Sequence, residues 1–319
     1  MSGNYVLITA AYNEERFIET TIRSVVAQTI LPRKWIVVSD ASSDGTDEII
    51  QRHAARCGFI ELLRRDGPHA RNFGAQVDAI NTGYARLKDM EFAFVGNVDA
   101  DVALAPNYYE SLQQRFAADP HLGLAGGFIH EDYGKGFRMR RTNSVHSVAH
   151  ATQLFRRECF DAIGGYRRLQ YGGPDWVAEI MARQRGWKVQ AFPDLIVRHY
   201  RPSASAGGVL RGCYRQGRMD YSLGSLASFE IMKCLRRLPE PPYVLGALAR
   251  MLGFTYSCLS GAPLLVPTEV SACLQTEQKL RLRSLFGLRP LAGSPTSGGL
   301  PPASPVCTPQ LPDNARLSD

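Results

Sequence analysis

Two aspartates, Asp99 and Asp101, stand two positions apart directly behind an apolar run, Phe92-Ala93-Phe94-Val95-Gly96-Asn97-Val98. Carboxylates at that spacing, at a strand end, can share a hard divalent cation, one directly and one through water or ligand. Mn²⁺ or Mg²⁺ needs few protein ligands when phosphate oxygens complete its octahedron. The competing reading is a capped turn ahead of Pro106. A second polar cluster, Asp40-Ala41-Ser42-Ser43-Asp44-Gly45-Thr46, also follows an apolar run. Asp40 can accept hydrogen bonds from a nucleobase imide or a ribose hydroxyl, whereas Asp44 and Thr46 suit the turn and start of a helix. Gly172-Gly173-Pro174-Asp175-Trp176 presents a carboxylate from a glycine-rich loop. Asp175 is either a general base for a hydroxyl substrate or an ordinary helix cap. His199, behind Leu195-Ile196-Val197-Arg198, is a third metal ligand, a diphosphate contact or a structural histidine. His146 and His150 have the i,i+4 spacing of a helical zinc pair, but no third ligand stands nearby.

Regular elements must position these groups. Tyr5-Val6-Leu7-Ile8-Thr9 reads as a buried strand, followed by Ala10-Ala11-Tyr12-Asn13-Glu14-Glu15. Phe17, Ile18, Ile22, Val25 and Val26 then recur at helical spacing, with Asn13 as the expected cap. Trp35-Ile36-Val37-Val38-Ser39 and Phe59-Ile60-Glu61-Leu62-Leu63 predict the next strands, with helices around Ile49-Ile50 and over 72–87. Strands alternating with helices define an α/β chain built on a mainly parallel sheet. In such sheets ligands bind beyond the carboxyl ends of the strands. The clusters at Tyr12-Asn13-Glu14, Asp40 and Asp99-Ala100-Asp101 fall at those ends, which points to an enzyme. Residues 210–285 read as several helices broken by prolines, and Pro, Ser and Gly dominate from Pro290 onward.

Composition narrows the class. The 319 residues are 45% apolar and 21% charged, enough for a sizeable core and unlike a disordered or collagenous chain. Seven scattered cysteines without a CxxC pair predict reduced thiols. With no basic region or small-residue cleavage site at the N-terminus, they predict a cytoplasmic protein. The net charge of +7 is uneven: residues 1–200 hold 24 Lys/Arg against 23 Asp/Glu, residues 201–319 hold 13 against 7. The neutral first two-thirds, without a zinc-finger, helix-turn-helix or RNP signature, argues against a nucleic-acid partner. The basic C-terminal section suits an anionic membrane surface or an anionic lipid-linked substrate, or simply a solvated face.

Ala11-Tyr12-Asn13-Glu14-Glu15, Val38-Ser39-Asp40 through Thr46, Asp99-Ala100-Asp101, Gly164-Gly165-Tyr166 and Asp175 together resemble, in order and spacing, the family 2 glycosyltransferases of the GT-A fold. The likeness covers about residues 4–200. Residues 198–288 resemble the C-terminal region of bacterial exopolysaccharide glycosyltransferases, through Gln216-Gly217-Arg218-Met219-Asp220-Tyr221 and Glu277-Gln278-Lys279-Leu280-Arg281. The resemblance implies a GT-A (Rossmann-like) domain over 1–209, a helical extension over 210–289 and a disordered tail over 290–319. It implies a nucleotide-sugar donor, UDP-sugar ahead of GDP-sugar, and a saccharide or lipid-linked saccharide acceptor in cell-surface polysaccharide or glycoconjugate synthesis. By position, Ala11, Tyr12, Glu14, Asp40 and Arg71 would hold base and ribose. Asp99 would touch ribose or metal, Asp101 would bind Mn²⁺ or Mg²⁺ with His199 as a further ligand, and Asp175 would be the catalytic base of an inverting transfer. Arg218 is a candidate for closing over the diphosphate.

The departures are Ala11 where many members carry proline, Pro174-Asp175 in place of a Glu-Asp pair, and no tryptophan after Gln216-Gly217-Arg218-Met219. The last argues against a processive synthase. Two rivals stand beside this reading. A sugar-phosphate nucleotidyltransferase would need a glycine-rich basic loop after the first strand, where this chain has an acidic one. A non-catalytic binding protein on a transferase fold, recruited to membrane, would not need Asp99, Asp101 and Asp175 together. Finally, residues 223–259 alternate apolar stretches with Lys233, Arg236, Arg237 and Arg250, as an interfacial segment or as helices packed on the catalytic domain would.

Overall fold

The computed structural model describes residues 4–66, 73–134, 136–201 and 208–285. Arg71 and the tail expected over 290–319 lie outside them. The first strands, β1 (Tyr5–Ala11), β2 (Lys34–Asp40), β3 (Ile60–Arg65) and β4 (Phe94–Asn97), pair in parallel in the order β3-β2-β1-β4. Their connections are α1 (Ile18–Val26), α2 (Thr46–Ala54) and α3 (Phe73–Leu87). Beyond β4 the sheet becomes mixed. β5 (Val102–Leu104), β6 (Leu122–Asp132), β7 (Phe137–Met139), β8 (Leu154–Arg156) and β9 (Lys188–His199) extend it as β4-β8-β6-β9-β5, with β7 on β6. Here β6 and β9 are parallel, while the β4–β8, β6–β8, β6–β7 and β5–β9 pairs are antiparallel. The helices of this half are α4 (Tyr108–Ala118), α5 (Arg157–Ile163) and α6 (Pro174–Gln184).

Side chains alternate across each strand, so one sheet serves two cores. Val6, Ile8, Ile36 and Val38 face one cluster with Val77 and Ile80 of α3 and Val177, Ile180 and Met181 of α6. Tyr5, Leu7, Trp35 and Val37 face the other, with Ile18, Ile22 and Val25 of α1, Ile50 of α2 and Leu112 and Phe116 of α4. Strands buried on both faces read as continuous apolar runs, which is why β1 and β2 are plain in the sequence.

The C-terminal region forms α7 (Val209–Ser222), α8 (Ala227–Arg237), α9 (Val244–Leu259) and α10 (Thr268–Leu285). Val270 and Leu274 of α10 join the core on the α6 side, and Arg183 of α6 pairs with Glu277 at 2.7 Å. α7 and α9 run parallel, with Cys213 beside Gly246 and the Tyr221 ring 5.7 Å from that of Phe254. They approach so closely that a Cβ at Gly217 would collide with the Arg250 carbonyl, and one at Gly253 with that of Tyr214.

Of the four basic charges between residues 223 and 259, read either as an interfacial segment or as helices packed on the catalytic domain, Arg250 and Lys233 turn inward. Arg250 donates to Glu230 Oε1 at 2.7 Å, to Gln216 Oε1 at 2.6 Å and to Asp220; Lys233 lies 2.9 Å from Asp220 and 2.8 Å from Glu230. Burial of ions in these helices requires such mutual compensation.

Candidate active site

The site lies where the parallel strands end. After β1, Asn13 adopts a left-handed conformation (φ 54°) and does not cap α1, which starts at Ile18. Its Oδ1 instead accepts the Ser43 N–H at 2.8 Å, while its own N–H donates to Ser42 Oγ at 3.1 Å. Glu14 N–H donates to Thr46 Oγ1 at 2.8 Å, and Glu15 N–H to Asp44 Oδ2 at 3.1 Å. Asp44 also accepts the Thr46 N–H at 3.1 Å and so ties the two loops together, although the N-cap position of α2 is Gly45 and not the expected Asp44. Ala11 and Tyr12 are held at this junction, with Ala11 buried and Tyr12 half-buried. Asp40 ends β2 in register with Arg65 of β3, whose guanidinium lies 3.2 Å from its carboxylate.

The second cluster forms because β5 pairs antiparallel with the long β9, setting Val102 opposite His199. Tyr200 N–H donates to the Asp101 carbonyl at 3.0 Å, so the end of β9 is fastened to the aspartate pair. Ligand atoms of Asp99, Asp101 and His199 lie within 4.8 Å of one another, the one such grouping among the described residues. His199 Nε2 is 3.1 Å from Asp101 Oδ1, and its Nδ1 is buried without a hydrogen-bond partner. Burial opposes a charged imidazole there, but the hydrogen bond to Asp101 and the charges of Asp101, Asp99 and Glu131 outweigh it and raise the His199 pKa. The other oxygen of Asp101 accepts from Arg201 Nε at 2.6 Å, and the same guanidinium reaches Glu14 Oε1 at 2.7 Å. Two carboxylates and an imidazole fit a divalent ion of the Mn²⁺ type, with hard oxygens joined by a borderline nitrogen.

His150 lies against the aspartate pair. It sits in a single 3₁₀ turn, His150–Thr152, and not on a helix with His146, so the zinc pair suggested by their spacing is not formed. His150 Nδ1 lies 3.4 Å from Asp99 Oδ1, and Asn97 Nδ2 donates to the same oxygen at 3.3 Å. Burial disfavours the Asp99 carboxylate, yet His150, His199 and Asn97 overcome it and hold its carboxyl below the ordinary value. On His150, burial is likewise outweighed by Asp99, with Asp175 adding to the attraction.

Asp175 is half-buried in the first turn of α6, behind Gly172 (φ 101°) and Gly173 (φ 86°). Both glycines hold backbone conformations that side-chain-bearing residues rarely adopt. A Cβ on Gly173 would also press on Met219 of α7 at 3.1 Å. Asp175 and Asp99 both act electrostatically on Tyr166, whose hydroxyl donates to Gln153 Oε1 at 2.5 Å. One turn along α6, buried Glu179 accepts from Ser147 Oγ at 3.0 Å and Val148 N–H at 2.7 Å on one oxygen. Burial pushes its pKa up to about 8, with Asp175 adding to the rise and Arg183 opposing it. Arg218 stacks over the Tyr171 ring at 4.5 Å, beside the Asp175 loop, and donates to Ser257 Oγ at 3.4 Å.

Sequence reasoning thus named Asp99, Asp101, His199 and Asp175, paired His150 with His146 instead of Asp99, and missed Arg201 and Glu179. Arg201 carried one usable signal: it stands two residues beyond His199 at a strand end, hence on the same side. For His150 the i,i+4 spacing misdirected attention, since its partner lies across the sheet.

The architecture is an α/β transferase scaffold of the GT-A type. Residues 6–172 match the family described as glycosyl transferase family 2, and the chain belongs to that family as a glycosyltransferase. The match takes in Asp99 and Asp101 and stops just short of Asp175. The glycosyltransferase AglE of Haloferax volcanii is 23% identical over 272 residues, spanning 78% of this chain and 86% of the relative. A poly-β-1,6-N-acetyl-D-glucosamine synthase of Staphylococcus aureus is 30% identical over 118 residues, 37% of this chain and 26% of the relative. Among solved structures, the mannosyltransferase PcManGT of Pyrobaculum calidifontis, in complex with GDP-Man and Mn²⁺, superposes with a TM-score of 0.52 at 18% identity, covering 90% of this chain and 83% of that one. TarS residues 1–349 of S. aureus, in complex with UDP-GlcNAc, gives 0.51 at 14% identity over 86% and 78%.

Proposed function

We propose that this glycosyltransferase moves a sugar from a nucleoside diphosphate sugar to a hydroxyl of a saccharide or lipid-linked saccharide, with inversion and with a divalent cation. The observation that carries the reading is the gathering of Asp99, Asp101 and His199 at the strand ends, with His150 beside Asp99.

Ala11, Tyr12, Glu14 and Asp40 line the nucleoside side of the cleft, with Arg71 assigned there from its sequence position. Asp99, Asp101 and His199 would hold Mn²⁺ or Mg²⁺, and the imidazole favours Mn²⁺. The bound ion supplies a positive charge that neutralises the departing diphosphate. Asp175 takes the proton from the acceptor hydroxyl as its oxygen bonds to the anomeric carbon. The bond from that carbon to the diphosphate breaks on the opposite face, and its electron pair leaves on the phosphate oxygen. Arg218 is assigned to the diphosphate, which requires it to leave its stack on Tyr171. Gln216 is already bound to Arg250, consistent with a non-processive enzyme. UDP-sugar is the preferred donor, in keeping with TarS; the GDP-Man bound by PcManGT makes GDP the comparison to run. The work is assigned to the cytoplasmic side, with peripheral contact to the membrane, in polysaccharide or glycoconjugate synthesis.

Melting temperatures with UDP, GDP, dTDP and CMP, each with and without Mn²⁺, test this on the wild type and Asp101→Ala. A diphosphate shift that needs the metal and vanishes in the variant is expected. No shift from any nucleotide would overturn the reading in favour of a non-catalytic binding protein.

A further inference from the structure

We propose that the outer faces of α8 and α9 form a docking surface for an anionic lipid bilayer. This names the surface behind the peripheral contact assigned above, and rests on that reading. α9 carries one ionisable side chain of high charge, Arg250, and it is 5% exposed, turned into the network with Glu230 and Asp220. The outward side of the same helix is apolar: Leu245 is 60% exposed, Leu248 59%, Leu252 63% and Leu259 84%. Their spacing of three, four and seven residues keeps them on one side of the helix. α8 repeats the pattern with exposed Ile231 and Leu235, followed by exposed Leu238 just past its end. Soluble surfaces scatter such residues singly, and their recurrence on the exposed sides of two helices packed against each other marks an interaction face.

The charges around the stripes choose the occupant. Asp220 and Glu230 are engaged inside by Arg250 and Lys233. Arg236 and Arg237 end α8 immediately before the turn into α9, and exposed Arg211 stands in the first turn of α7. Because α7 and α9 run parallel, Val209, Leu210 and Arg211 lie at the same end as exposed Tyr243, Val244 and Leu245. The acid at this end is half-buried Glu240. An apolar stripe fringed by arginines is the pattern of a helix lying in the plane of an anionic interface. A second copy of the chain would bring the same arginines together. Among the described residues no helix is long and apolar enough to cross a membrane, so the face lies on the bilayer.

The test is flotation of the full chain with phosphatidylcholine vesicles and with vesicles of phosphatidylcholine and phosphatidylglycerol in equal parts. Wild-type protein is expected to float with the anionic vesicles at low salt and to be released as salt rises. Leu248→Asp with Leu252→Asp should lower the bound fraction by roughly tenfold or more. Arg236→Glu with Arg237→Glu should lower it by about fivefold per arginine, on anionic vesicles only. Both pairs should keep the wild-type melting temperature and the UDP–Mn²⁺ shift, so failure of docking is separable from failure of the donor assignment. Protein that stays at the bottom with anionic vesicles, or leucine variants that float as the wild type does, overturns the proposal. So does light scattering that shows a dimer abolished by the leucine variants without any vesicle binding.

Discussion

Arg201 Nε stands 2.6 Å from Asp101 Oδ2, on the opposite oxygen from the one His199 approaches at 3.1 Å. One carboxylate is therefore contested by two cationic groups, and Arg201 also holds Glu14 across the cleft. A cation arriving at Asp101 competes with the guanidinium. Arg201→Ala should bind Mn²⁺ about fivefold more tightly in calorimetry without nucleotide, the worth of a partly exposed ion pair of about 1 kcal/mol. It should also turn over more slowly. Weaker Mn²⁺ binding in the variant would mean that Arg201 organises the carboxylates.

Asp175→Asn keeps shape and hydrogen-bonding reach while removing the base. The transfer rate at saturating donor should fall by about 10²–10⁴-fold. The melting shift given by UDP with Mn²⁺ should persist. A variant with near-normal turnover would remove Asp175 from the chemistry.

Glu179 links folding to pH. Its pKa rises from 4.5 to about 8 on folding, so between those values the folded chain holds a proton that the unfolded chain has released. The stabilisation is whole below about pH 4.5 and drains as pH climbs towards 8. Glu179→Gln, which keeps an oxygen for Ser147 and Val148, should flatten this slope. Thermal melts at mildly acidic and mildly alkaline pH should diverge by several degrees less in the variant than in the wild type. Equal slopes would show Glu179 ionised throughout.

Arg250→Met tests the buried network. Removing one member of a buried ion group leaves its partners uncompensated, at a cost of about 3–5 kcal/mol. Urea unfolding should show that loss, with Lys233 left to serve both Asp220 and Glu230. A stability within experimental scatter of the wild type would mean that the apolar replacement suffices.

The elements built on local pattern were readable before any coordinates. β1 and β2 announce themselves because both of their faces are buried; Asp40 stands where β2 stops, and Asp99 and Asp101 follow the apolar run of β4. His199 could be suspected as a strand-end histidine, but its partner is set by the antiparallel β5–β9 pairing, which no local pattern encodes. His150 was mispaired and Glu179 missed for the same reason: their partners arrive from other elements. Charge was the least reliable guide. Lys233 and Arg250 suit an interfacial segment or packed helices alike in a linear hydropathy pattern, and both are committed to carboxylates inside the helices.

α7 has two neighbours at once. One side is wedged against α9 with glycine-to-backbone closeness, and Met219 on the same helix lies under Gly173 in the loop that presents Asp175. The helix thus bridges α9 and the loop that carries Asp175. Any side chain larger than hydrogen at Gly217 or Gly253 would have to push α7 and α9 apart, and α7 is the helix whose Met219 packs against the loop of Asp175.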